Sequence, residues 1–94
     1  MPEQLQIADD VLFQTVADEA VLLNIADNHY YGLDDVATRM WQLLAEHGTE
    51  DAVIREMLAE YDVDEATLRQ DFAALVTELE RRGLIKRVAA QQHK

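Results

Sequence analysis

Three histidines, 19 carboxylates and an adjacent pair of tyrosines are the side chains of this 94-residue chain with chemistry to offer. Imidazoles serve metals and acid–base relays. Here His29 falls on a predicted strand, His47 at a predicted helix end and His93 in the C-terminal tail. None stands at the i, i+4 spacing with which one helix presents two imidazoles to an ion. Covalent catalysis has less to work with, because the chain contains neither cysteine nor serine. There is no thiolate, no serine nucleophile and no serine to carry a phosphopantetheine arm, which also removes the acyl-carrier reading. The carboxylates are numerous, but solvated charge is their default state. Asp62-Val63-Asp64-Glu65 begins like a calcium loop, yet the sixth position, where that loop needs glycine, is Thr67. The segment reads instead as a break between helices. No catalytic residue, metal or cofactor is expected.

What remains is His29-Tyr30-Tyr31-Gly32-Leu33. In an extended conformation His29, Tyr31 and Leu33 share one face, and Tyr30 and Gly32 share the other. As the last strand of a meander it would lie at a sheet edge, with unpaired N–H and C=O groups able to recruit an extended peptide as a further strand. One tyrosine would pack inward while the other shows its ring to a partner. The same pattern is equally that of two tyrosines packed under helices.

The elements that must position this run are readable on either side of it. Residues 1–10 read as an irregular lead-in. From Val11 the chain alternates, with Val11, Phe13 and Thr15 on one face and Leu12, Gln14 and Val16 on the other, up to the polar break Ala17-Asp18-Glu19. Residues 20–26 are rich in branched apolar side chains and too short for a typical helix. Val21, Leu23 and Ile25 share a face, and Asn24 interrupts the opposite one, the pattern of a half-buried strand. Asp27-Asn28 suits a tight turn, because both residues tolerate positive φ.

Helical spacing then takes over. Asp34 or Asp35 caps a first helix with Val36, Met40, Leu43 and Leu44 on its apolar side and Trp41 beside them, ended by His47-Gly48. Thr49 caps a second, with Val53, Ile54, Met57, Leu58 and Tyr61, and Glu50 and Asp51 at its dipole. Asp64 caps a third, running to about Arg82, with Leu68, Phe72, Leu75, Val76 and Leu79 as its stripe. Gly83 stops it. Leu84 to Val88 adds a short extended segment. The expected fold is α+β, a three-stranded antiparallel β-meander followed by three helices, in one domain (residues 1–94, core about 8–87, frayed basic tail 88–94).

Charge narrows the partners. The formal net charge is −11, and residues 1–80 hold all 19 acids with only Arg39, Arg55 and Arg69, a net of −16, while residues 81–94 hold five bases and no acid. The second and third helices could pose as a helix-turn-helix with residues 84–88 as a wing. But the third helix carries Glu65, Asp71, Glu78 and Glu80 against Arg69 up to residue 80, and phosphates would repel it. Nucleic acid is therefore not expected. No apolar run approaches the ~20 residues of a membrane span and no secretory signal opens the chain, so a cytoplasmic protein without a membrane partner is expected. The acidic body favours a neutral or basic peptide, or a basic face on a partner, through association rate more than affinity.

Taken in order, Val21-Leu22-Leu23-Asn24-Ile25, then Asn28-His29-Tyr30-Tyr31-Gly32-Leu33-Asp34, then Val36 to Leu44 around Trp41, Val53 to Val63, Asp71-Phe72 with Leu75 and Leu79, and Gly83-Leu84-Ile85 resemble the PqqD-like family over roughly residues 8–87. Each motif is mostly apolar spacing; their order and spacing together carry the resemblance. It implies a winged-helix-like domain that binds without catalysis. The ligand is the leader of a ribosomally made precursor peptide, taken as an added strand against the third strand. The complex then meets a leader peptidase or other modifying enzyme. By position, the peptide-binding residues implied are His29, Tyr30, Tyr31, Gly32 and Leu33 on the edge, with Leu68, Arg69, Phe72, Ala73 and Val76 as the helix wall. Ala26-Asp27-Asn28 stands where PqqD of the quinone-cofactor pathway tends to carry a proline-and-glycine turn. The YYGL and W-x-L-L segments are more similar to the stand-alone recognition proteins of lasso-peptide clusters. The alternatives are a PqqD chaperone of quinone-cofactor biosynthesis and an acidic winged-helix regulator. The protein would be a monomer, or a dimer joined through the same edge.

Overall fold

The computed structural model describes residues 3–89, in the order β1 (Glu3–Ile7), β2 (Val11–Val16), β3 (Glu19–Asn24), β4 (His29–Leu33), α1 (Asp35–His47), α2 (Glu50–Glu60), α3 (Glu65–Arg81) and β5 (Ile85–Ala89). Strands β2, β3 and β4 form the expected antiparallel meander, in that order across the sheet. Its turns use the residues that the sequence marks. Asn28 takes φ 64, and Ala17 takes φ 58 in the two-residue turn between the paired Val16 and Glu19. The helix starts are capped as read: Asp34, Thr49 and Asp64 accept hydrogen bonds from the N–H groups of Ala37, Ala52 and Thr67. Gly48, at φ 79, ends α1 in the left-handed conformation that glycine adopts without steric cost.

The lead-in is not irregular. Glu3–Ile7 is a strand, paired antiparallel with β5 from Glu3↔Ala89 to Ile7↔Ile85 in a separate two-stranded ribbon. Gln4-Leu5-Gln6-Ile7 alternates, so Leu5 reaches the core at 7% exposure while Gln4 stays outside. Packing therefore begins ahead of residue 8. Of the tail, Val88 and Ala89 belong to β5, and the rest lies outside the described residues.

The core lies between the inner face of the meander and the three helices, with Trp41, Phe72, Leu22, Leu43, Leu44, Ile54 and Met57 fully buried. Val36, read as part of the first stripe, is exposed. The buried face of β3 is the one that carries Asn24, with Ala20 and Leu22, because Asn24 satisfies its amide there. Its Nδ2 donates to the Arg82 carbonyl oxygen at 3.0 Å, and its Oδ1 accepts from the Ala26 N–H at 3.0 Å. A buried amide with both ends bonded costs little; unbonded, it would cost about 1–3 kcal/mol. The opposite face of the sheet shows Leu12, Val16, Val21 and Tyr30 to solvent. Arg39 joins α1 to α2 through a two-pronged ion pair with Glu60, with Nε 2.8 Å from Oε1. No helix is long and apolar enough to cross a membrane among the described residues.

Candidate functional site

Strand β4 lies at one edge of the meander and pairs only with β3 among the described residues. Which of its backbone groups are free follows from register. Val16 and Glu19 close a two-residue hairpin, so they exchange backbone hydrogen bonds with each other. In an antiparallel ladder bonded and unbonded pairs alternate, so Glu19, Val21 and Leu23 turn their polar groups to β2. The Ile25 N–H continues that series by donating to the Asp10 carbonyl at 2.8 Å. Ala20, Leu22 and Asn24 consequently turn to β4, opposite Leu33, Tyr31 and His29. That leaves the N–H and C=O groups of Tyr30 and Gly32 on the free edge.

Side chains divide the same run between two faces. Tyr30 points outward and is 68% exposed, whereas Tyr31 is half-buried and packs against the core. Leu33 is buried at the α1 end of the strand, where its carbonyl accepts from the Thr38 hydroxyl at 3.4 Å. A Cβ built on Gly32 would meet nothing within 4 Å, so the fold does not require glycine there. Glycine in a strand often marks close approach by another backbone.

The helix flanking this edge is α3, through its C-terminal end. The Arg82 guanidinium lies 4.5 Å from the centre of the Tyr31 ring, a cation–π distance. Its Nε donates to Glu78 Oε2 at 2.6 Å, and Arg81 Nη2 donates to the same oxygen at 2.6 Å. Hydrogen bonds from Arg81, then Arg82, hold the Glu78 carboxyl below the usual carboxylate range. Between strand and helix is a hollow of about 50 Å³ lined by Asn24, Asp27, His29, Tyr31, Arg82 and Leu84, with Tyr30 at its rim. His29 and Asp27 are paired locally: Asp27 accepts the His29 N–H at 3.2 Å and lies 3.4 Å from Nδ1.

None of the five wall residues named from the sequence lines this hollow. Leu68 is in the core, and Arg69 is bound to Glu65, Glu50 and Asp51. Phe72, Ala73 and Val76 line a different cavity, of about 250 Å³, with Leu5, Thr49 and Arg87 near the β1–β5 ribbon and the start of α2. At 100° per residue, the row of α3 within about 40° of Arg82 is Leu68, Asp71, Leu75 and Glu78, so of the five named residues Leu68 shares Arg82's side, several turns further back. Sequence reasoning did not bring Arg82 and Asn24 to this edge, where both line the hollow. The traces available were an amide within an apolar strand and an arginine seven residues beyond Leu75.

Among the described residues no group of three or more His, Cys, Asp and Glu could hold a metal ion. The arrangement offers an edge, one exposed and one half-buried ring on opposite faces, and a cation, which suit binding an extended chain.

Comparison with known proteins bears on the same residues. A family model described as coenzyme PQQ synthesis protein D (PqqD) matches residues 19–85, from the start of β3 to the start of β5. TbiB1, solved in complex with the TbiA(beta) leader peptide, superposes with a TM-score of 0.84 at 33% identity, over 90% of this chain and 99% of that one. A lasso peptide synthetase B1, solved with its leader peptide, gives 0.80 at 25% identity, over 88% and 98%. A search of curated protein sequences found no match.

Proposed function

The chain belongs to the PqqD family, and from that premise we propose that it recognises the leader segment of a ribosomally made precursor peptide, without catalysing a reaction. The leader adds as a strand to the free edge of β4. The observation that carries this reading is the register: Tyr30 and Gly32 offer their backbone groups to the outside beside a hollow built from Tyr31 and Arg82. Each leader residue facing them can exchange two backbone hydrogen bonds, and the alternate residues read the surroundings.

The similarity to two leader-bound lasso-peptide proteins, which the chain matches along nearly their whole length, supports a lasso-type precursor over a quinone-cofactor precursor. In that setting the protein is a single recognition domain. It raises the local concentration of its precursor at a leader peptidase or other modifying enzyme. In this reading the helix side of the site is the C-terminal end of α3 at Arg82, held by Glu78, and Leu68, Arg69, Phe72, Ala73 and Val76 stand away from the hollow.

The test is fluorescence polarisation with the labelled leader of the precursor encoded in the same gene neighbourhood, in parallel with a labelled DNA duplex. Saturable binding of the leader and none of the duplex is expected. Saturable binding of the duplex without the leader would replace this reading with that of a regulator.

A further inference from the structure

Resting on that reading, we propose that Arg82 makes the hollow beside β4 a subsite for a carboxylate side chain of the added strand. The residue read is the one paired with Tyr31.

The guanidinium is fixed before any peptide arrives. Its backbone is clamped by the Asn24 amide, which donates to the Arg82 carbonyl at 3.0 Å and is itself held by the Ala26 N–H. Gly83 follows at φ +73, and a Cβ there would stand 3.3 Å from Asn24 Nδ2, so the clamp and the turn fit closely. Tyr31 supports the guanidinium from below at 4.5 Å, and Glu78 holds Nε at 2.6 Å. Among the described residues Nη1 and Nη2 of Arg82 make no hydrogen bond. A flat donor fork held along one side, with its other two nitrogens unused, is suited to a planar acceptor such as a carboxylate.

Strand geometry brings one side chain to it. Tyr31 spends its own backbone groups on β3, so an antiparallel strand added outside β4 meets Tyr31 in a non-hydrogen-bonded pair. Those are the pairs whose side chains approach most closely, with Cβ atoms about 4.5–5.5 Å apart on the same face. The partner residue therefore points as Tyr31 does, toward Arg82. The space there is a small hollow of about 50 Å³, open to solvent on one side, with room for a short polar head against the guanidinium. Glu78 is shared by Arg81 and Arg82 and Asp27 lines the far side of the hollow, so these four charges balance, and the selectivity rests on the direction of the guanidinium fork at contact distance rather than on a net positive charge. The field of the acidic body still favours a basic or neutral peptide at long range. The subsite acts at contact distance, on one residue.

A library of random strand-length peptides displayed on phage is selected against the wild-type chain and against Arg82→Gln, Arg82→Lys and Arg82→Glu. Each variant is first matched to wild type by circular dichroism and melting. The wild-type pool is expected to carry Asp or Glu at one fixed position within an alternating apolar pattern. The preference fades with Arg82→Gln, weakens with Arg82→Lys, which lacks the stacked fork, and turns to Lys or Arg with Arg82→Glu. For a recovered peptide, replacing the acid by its amide should weaken binding to wild type by about tenfold or more, and to Arg82→Gln by less than about twofold. Pools with the same residues for all four proteins would overturn the subsite and leave strand addition standing. A wild-type protein that enriches no peptide would overturn both.

Discussion

The meander has two edges, and they differ in what stands beside them. Strand β2 turns the backbone groups of Val11, Phe13 and Thr15 outward, so it offers at least as many unpaired groups as β4 does with Tyr30 and Gly32. The β2 segment VLFQTV carries no charge and no proline, the devices that usually discourage a passing strand. On its inner face the Phe13 ring meets Trp41 of α1 edge-on, with centroids 6.2 Å apart, while the ring itself stays half exposed, and among the described residues no charged side chain is seen against that contact. Beside β4 the helix end stands off and leaves a hollow with a cation in it. Free backbone groups are thus common to both edges. What distinguishes a recognition edge is a neighbouring element that lets alternate side chains be read.

Proline substitutions separate the two edges and also the two sides of β4. Tyr31→Pro removes an N–H that β3 uses and should cost about 3 kcal/mol or more, read as a loss of urea stability. Tyr30→Pro removes an outward N–H. It should leave the urea midpoint close to wild type and weaken leader binding about tenfold or more by calorimetry. Thr15→Pro, the matching change on β2, should leave leader binding unchanged. If Thr15→Pro weakened the leader and Tyr30→Pro did not, the site would belong to the other edge.

Asn24→Ala tests whether the clamp matters to the edge. It unpairs the Arg82 carbonyl and the Ala26 N–H and is expected to cost about 1–2 kcal/mol, which in a domain of this size lowers the melting temperature by roughly 4–8 °C per kcal/mol. Affinity for an acidic peptide should fall more than affinity for its amide counterpart, because only the former depends on where the guanidinium stands. An equal fall for both would make Asn24 a purely structural residue.

The smallest effect is that of pH. Arg81 and Arg82 hold the folded Glu78 carboxyl below its unfolded value. The stabilisation is therefore present above the ordinary carboxylate range and disappears as pH falls through that range to the folded value. The carboxyl is half-buried but still reached by solvent, so the effect is small and high salt should reduce it further. Urea midpoints compared across the acid limb should fall less steeply in Arg82→Gln than in wild type. Identical slopes would mean that Arg81 alone holds Glu78.

What the sequence revealed was governed by range. Asp34, Thr49 and Asp64 cap their helices through contacts three residues away, and Asn28 sets a turn within its own hairpin, so each was legible locally. The β1–β5 ribbon joins residues about eighty positions apart, and neither strand shows its partner in its own composition. The edge at residues 29–33 could be found because alternation and strand order suffice to place it. The wall could not. A helix with Leu68, Phe72, Leu75, Val76 and Leu79 on a broad stripe can turn several flanks toward a sheet, and only packing against Leu5 and the ribbon fixed which one.

The burial of Trp41 has a spectroscopic consequence. It is the chain's single tryptophan, fully enclosed, with an indole Nε1 that has no hydrogen-bond partner among the described residues. An indole without a polar neighbour emits at the blue end of its range, and unfolding moves it red. Its fluorescence is therefore a built-in gauge of the folded core, reporting on the β2 side of the sheet. Added peptide at β4 should leave that emission nearly unchanged while melting shifts it. One cuvette can thus tell a variant that has lost its ligand from a variant that has lost its fold.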